Sequence, residues 1–167
     1  MNQFGLCPDA SGGFDFLVDG RFLRELVFET DDLEQYEITL LRRRKLPFGA
    51  AQDQIRRLKG ELSGEFFPHR VWLYFCGECF DEGCGGISVS VQVETDRVVW
   101  SDFCHDGPPS TENEPEESQE EDRITHVGPL VFDRGDYEAA LNDVGDQLGR
   151  SYLRHRLSTA PLTCTPT

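Results

Sequence analysis

The amino-acid sequence predicts an α+β fold: an antiparallel β-sheet meander with a short middle helix and a C-terminal amphipathic helix packed on one face. Three stretches carry this prediction. Residues 87–94 alternate strictly, with Ile87, Val89, Val91 and Val93 on one face and Ser88, Ser90, Gln92 and Glu94 on the other, the period of a strand with one buried side. Thr95 and Asp96 turn the chain, and Val98, Val99 and Trp100 return beside it. Just upstream, Val71, Trp72, Leu73, Tyr74 and Phe75 make an apolar, aromatic run that suits a buried strand. Near the other end, Tyr137, Ala140, Leu141, Val144 and Leu148 fall on one helical stripe.

The remaining elements follow in order. Phe14, Phe16 and Val18 alternate with Asp15 and Leu17, and Asp19 with Gly20 forms a tight-turn pair, so residues 14–28 read as an opening hairpin. The returning half is ambiguous, because Arg24 and Glu25 could equally begin a helical turn. Residues 31–48 are also ambiguous: Ile38, Leu40 and Leu41 suit a short strand or a helix. The cations that follow, Arg42, Arg43, Arg44 and Lys45, are expected to form a solvated face paired with surrounding carboxylates. Ile55, Leu58 and Leu62 then recur at spacings of a short amphipathic helix within residues 49–62. Residues 127–132 read as a last strand. Asp133 is placed to cap the final helix and Asp136 to sit near its positive end. Gly145 and Gly149 weaken that helix, which is expected to end or bend there.

A chain of 167 residues suits a single α+β domain, expected over residues 1–157, with a mobile acidic loop at 107–123 and a flexible tail at 158–167. Hydrophobic residues make up 38% and charged residues 28%, a globular balance. Sixteen basic residues stand against 31 acidic ones, for a net charge of −15. That sign disfavours nucleic acid and anionic membrane as partners and favours a basic protein. Seven of those charges are concentrated in residues 112–122, in Glu112, Glu114, Glu116, Glu117, Glu120, Glu121 and Asp122, which leaves −8 on the other 156 residues. A stretch without apolar residues cannot repay its ordering entropy, so it reads as a solvated loop or as an arm for a basic partner. The first residues lack a basic region followed by an apolar one, and no apolar run approaches the roughly 20 residues that span a bilayer. A cytoplasmic location is therefore the expectation.

Six cysteines in a reducing compartment read as core residues or metal ligands before disulfides. Cys76 and Cys79 have C-x-x-C spacing, Cys84 follows after four residues, and Cys104 and His105 end the next hairpin, which can return them to the same sheet edge. Three thiolates and a fourth Cys or His can surround one structural zinc ion. The alternative is a glycine-rich connection with cysteines as small buried hydrophobes. The histidines His69, His105, His126 and His155 are scattered, and no phosphate-binding loop, nucleophile elbow or zinc-protease motif occurs, so no catalytic residue is nominated and an enzyme is not expected.

The knuckle of Cys76, Cys79, Cys84 and Gly85, the segment from Val99 through Phe103, and Gly128, Pro129, Phe132, Asp133 and Arg134 with Tyr137 and Leu141 resemble a group of uncharacterised bacterial proteins of actinobacterial type. The resemblance covers less than half of the chain and implies no activity. In size and acidity the chain is similar to immunity proteins of bacterial toxin systems. That analogy implies a protein-binding domain that neutralises a basic toxin, with Asp81, Glu82, Asp102 and Asp106 near the knuckle and the 112–122 carboxylates as exposed contacts.

Overall fold

Two antiparallel sheets and three helices are described in the computed structural model, which covers residues 1–9, 12–28, 36–42, 46, 48–64, 67–77, 84–107 and 122–158. In chain order the elements are β1 (Phe4–Pro8), β2 (Phe14–Val18), β3 (Arg21–Phe22), α1 (Arg24–Val27), β4 (Tyr36–Ile38), α2 (Phe48–Leu58), β5 (Arg70–Cys76), β6 (Gly86–Val93), β7 (Arg97–Asp106), β8 (Leu130–Asp133) and α3 (Arg134–Ser158). The first three strands form one sheet in the order β1-β2-β3, and the others form a second in the order β4-β5-β6-β7-β8.

The predicted hairpin turn is present. Asp19 and Gly20 both have positive φ, 53° and 78°, as the tight turns that match strand twist require. The returning strand is only β3, and the helical alternative at Arg24 and Glu25 is the one that forms. Leu23 and Val27, four residues apart, then enter the core together. Strand β1 was not expected from the sequence. It pairs along the whole of β2, from Phe4 opposite Val18 to Pro8 opposite Phe14.

Main-chain hydrogen bonds stitch the two sheets together at both ends. Asn2 N donates to Val131 O at 2.6 Å beside β8, and Phe14 N donates to Leu41 O at 2.8 Å just beyond β4. The five-stranded sheet is thereby curled around an aromatic core of Phe4, Phe16, Trp100, Phe132 and Tyr137, all buried. Trp100 meets Phe4, Phe16 and Phe132 edge-on, with centroid distances of 5.7, 5.5 and 5.4 Å, the arrangement that ring quadrupoles favour. Its Nε1 donates to the Tyr137 hydroxyl at 3.2 Å, and that hydroxyl donates to Leu58 O at 3.0 Å. Both polar atoms of this dry core are therefore satisfied.

Helix α3 packs on β1, β7, β8 and α2. Its cap is as predicted: Asp133 Oδ1 accepts from Asp136 N at 3.0 Å. It does not end at its glycines, however, and continues to Ser158. A β-carbon at Gly145 would lie 3.1 Å from Ile55 Cδ1, so this glycine admits α2 to close packing and does not act as a stop. The basic cluster is also corrected at Arg42. Its side chain is buried, with Nη2 3.3 Å from Asp9 Oδ2, while Arg43, Arg44 and Lys45 lie outside the described residues. Of the acidic loop, Gly107, Asp122 and Arg123 are described; residues 108–121, and 159–167 of the tail, lie outside.

Candidate functional site

Alternation in β6 predicts that Ser88 faces solvent, yet Ser88 is fully buried. Cross-strand partners share a face, and the register explains what covers it. Trp72 of β5 and Cys104 of β7 stand opposite Ser88, Arg70 stands opposite Ser90, and Asp106 stands opposite Gly86. The face turned away from the aromatic core thus has a buried layer of its own. Trp72 and Phe75 of β5 pack there with Ile38 and Leu40, and a polar cluster lies beside them.

Arg70 organises that cluster. Its Nε donates to Asp106 Oδ2 and to Ser88 Oγ, both at 2.9 Å. Nη1 donates to Asp102 Oδ2 at 2.8 Å, and Nη2 donates to the main-chain oxygen of Asp102 at 2.8 Å. The Ser88 hydroxyl donates to Asp106 Oδ2. Arg70 retains 9% of its surface and Asp106 only 7%. Charges at that depth persist only when paired and hydrogen-bonded, and here the fork of a guanidinium supplies the geometry.

The backbone bends to make this possible. Ser88 pairs with Cys104 while Ser90 pairs with Ser101, so Asp102 and Phe103 of β7 oppose the single residue Val89. This is a β-bulge, and its first residue, Asp102, has φ 55°. Aspartate is among the few non-glycine types that tolerate this left-handed conformation. The bulge sends Phe103 into the core and turns both the carboxylate and the carbonyl of Asp102 toward Arg70.

The same cluster holds both roots of the acidic segment. Asp106, at the end of β7, is the last residue but one before residue 108. On the return, Arg123 forms an antiparallel bridge with Cys104, Ile124 N donates to Phe103 O at 2.8 Å, and Ile124 is buried. Arg123 Nη1 also lies 3.6 Å from Asp102 Oδ1. The chain therefore leaves the sheet and rejoins it at neighbouring places on one strand.

The predicted contacts separate on this geometry. Asp106, expected as an exposed carboxylate, is buried in the pair with Arg70, and this corrects that expectation. Asp102 and Asp122 are both exposed. Asp81, Glu82, Glu112, Glu114, Glu116, Glu117, Glu120 and Glu121 lie outside the described residues. Among the proposed metal ligands, Cys76 ends β5, Cys84 precedes β6, and His105 pairs with Ile87 on β7, so register brings these three to one end of the sheet. Cys104 and His105 are consecutive strand residues and point to opposite faces, Cys104 toward the Arg70 cluster. Cys79 lies outside the described residues, and among those described no group of three His, Cys, Asp or Glu side chains converges on a common point.

Sequence reasoning missed Arg70 and Ser88, and it missed a second buried polar group. Asp15, on the face of β2 opposite Phe16, accepts from the Tyr74 hydroxyl at 2.7 Å, from Phe16 N at 2.8 Å and from Arg24 Nε. The Arg24 guanidinium also lies 5.9 Å from the centre of the Tyr74 ring. Burial, reinforced by the Asp15 carboxylate, holds the Tyr74 hydroxyl well above its ordinary pKa. Both polar groups are closed on themselves. The Ser88 and Asp106 contact has the residue types of a nucleophile and base, but it is sealed from solvent. Comparison with protein-family models, with curated proteins and with solved structures finds no match for the chain.

Proposed function

We propose that this chain is an acidic binding domain for a basic protein, in its sharpest form an immunity protein that binds and neutralises a bacterial toxin in the cytoplasm, and that it is not an enzyme. The observation that carries this reading is how the cations are used. Most described arginines and lysines stand against carboxylates of the same chain, from Arg21 with Glu25 and Lys59 with Glu61 to Arg97 with Glu94 and Arg134 with Glu138. Arg42 and Arg70 are buried in such pairs. With most of these cations paired within the chain and a net charge of −15, an acidic surface is left to steer and orient a cationic partner.

The two buried polar groups support the same reading from the other side. They bond to themselves and leave no described, accessible nucleophile and base pair. The contact surface proposed is the exposed Asp102 and Asp122 and the carboxylates of residues 112–121. Pull-down from a bacterial host at low and at high salt tests the proposal. A basic protein retained at low salt, released at high salt and inhibited by the purified chain supports it; a partner whose binding ignores salt overturns it.

A second reading, a structural zinc ion, has one observation in its favour: register brings Cys76, Cys84 and His105 to the same end of the sheet. Elemental analysis of protein purified without added metal tests it, and zinc well below one equivalent in every preparation overturns it.

A further inference from the structure

We propose that Asp102 is the seat for a cationic side chain of the basic partner, and that Arg123 occupies this seat in the free protein as an intramolecular placeholder. The inference rests on the reading above and assigns it a contact point.

Asp102 differs from the other surface carboxylates in how firmly it is held. Its backbone is fixed in the left-handed region at the bulge. Two nitrogens of one buried guanidinium grip it, Nη1 at the Oδ2 atom and Nη2 at the main-chain oxygen, each at 2.8 Å. A side chain ordered in this way loses little further freedom on binding, which is the advantage of preorganisation. Among the described residues, the other carboxylate oxygen, Oδ1, accepts no hydrogen bond. Its described neighbour is the Arg123 guanidinium, at 3.6 Å, beyond hydrogen-bond reach.

The two ion pairs of Asp102 are therefore unequal. Arg70, at 10% side-chain exposure, is structural. Arg123, at 45%, is held loosely at the rim. Exposed pairs of that kind contribute little and exchange readily. An incoming guanidinium or ammonium can displace Arg123, take the open oxygen at hydrogen-bond distance, and leave the Arg70 grip intact. Arg123 is also the first residue after the acidic run of 112–122 and directly follows the exposed Asp122.

A fluorescein-labelled hexa-arginine peptide is the probe, with its dissociation constant measured by anisotropy at low salt. Arg123→Gln vacates the seat, and Arg97→Gln, which removes an exposed arginine paired with Glu94, controls for net charge. Asp102→Asn keeps a residue that tolerates positive φ. Relative to Arg97→Gln, Arg123→Gln is expected to tighten binding by about two- to fivefold, and Asp102→Asn to weaken it by a similar factor. In the double variant, the effect of Arg123→Gln is expected to vanish, because the seat it guards is gone. Equal affinities for Arg123→Gln and Arg97→Gln overturn the placeholder while leaving the acidic binding domain standing. Failure of the wild-type chain to bind the peptide at low salt overturns both. Because Arg123 is exposed, its variant decides the matter even if Asp102→Asn perturbs folding.

Discussion

The two faces of the curled five-stranded sheet are buried by opposite means. On the inner face, Trp100, Phe132 and Tyr137 fill the space with rings, and the polar atoms there form a short chain from indole to hydroxyl to carbonyl. On the outer face, Arg70, Ser88 and Asp106 are also buried, yet they are held by charge-assisted hydrogen bonds. Apolar burial is non-directional and fills any well-shaped space. A buried ion pair has to be met at defined atoms, and it specifies one arrangement of strands. The inner face accounts for why the chain folds; the outer face fixes where β7 bulges and where the acidic segment departs.

The sharpest way to break the inner face is Trp100→Ala. It removes the ring around which Phe4, Phe16 and Phe132 are arranged and leaves the Tyr137 hydroxyl without its donor. A loss of about 3–5 kcal/mol is expected in urea unfolding, enough to consume much of the stability of an ordinary domain. On the outer face, Arg70→Met is expected to cost about 3 kcal/mol, because it strands the Asp106 carboxylate in a buried site while the exposed Asp102 can rehydrate. Adding Asp106→Leu should recover most of that loss, since the penalty belongs to the unpaired charge. If the double variant is no more stable than Arg70→Met alone, the outer face depends on the pair itself, and the contrast between the two faces is wrong.

The inner face was largely legible in the sequence and the outer face was not, for a physical reason. Alternation in residues 87–93, the apolar run at 71–75 and the stripe on α3 each report hydrophobic burial, which leaves a periodic trace. The Arg70 cluster leaves none. Its members come from three strands, and the bulge that aims Asp102 inserts one residue that no period predicts. Asp106, followed by Gly107 and two prolines, reads as the start of a loop, so its burial is invisible until Arg70 is placed opposite. Strand β1 was missed because Gly5 and Pro8 dilute the strand signal, and its pairing with β2 supplies what local preference lacks. Gly145 was expected to end or bend the helix because its partner, Ile55, is distant in the chain. The carboxylates of 108–121 carry a clear charge signal and no packing signal, so the sequence marks them without saying what, if anything, they meet.

Alkaline pH provides a probe of the two buried tyrosines. Tyr74 is raised well above its ordinary value of 10.0 by burial and then by the Asp15 carboxylate, and Tyr137 is raised by burial. Each folded-state pKa lies above the unfolded one, so each stabilising contribution is complete below about pH 10. It declines as pH rises beyond that, by up to about 1.4 kcal/mol per pH unit for each tyrosine. Urea midpoints measured between about pH 8 and about pH 11 should fall in this window, and Tyr74→Phe should reduce the slope. A slope unchanged by Tyr74→Phe would mean that the hydroxyl is not buried against Asp15.

The smallest effect on stability is expected where the sequence is loudest. Residues 108–121 carry Glu112, Glu114, Glu116, Glu117, Glu120 and Glu121, but the contacts that fix their two ends are made by Asp106, Arg123 and Ile124, all outside the segment. Because Arg123 pairs with Cys104 on the strand that Asp106 ends, a four-residue Gly-Ser turn can join the two roots without straining either. Shortening the loop lowers its closure entropy, so the deletion is expected to change stability by no more than about 1 kcal/mol, toward greater stability. It also removes six negative charges, and affinity for a basic partner should fall together with its salt dependence. A deletion variant that unfolds would show that residues 108–121 pack on the body. A variant that folds and binds unchanged would leave the charge with no part in recognition and would move the contact surface onto Asp102 and the folded domain.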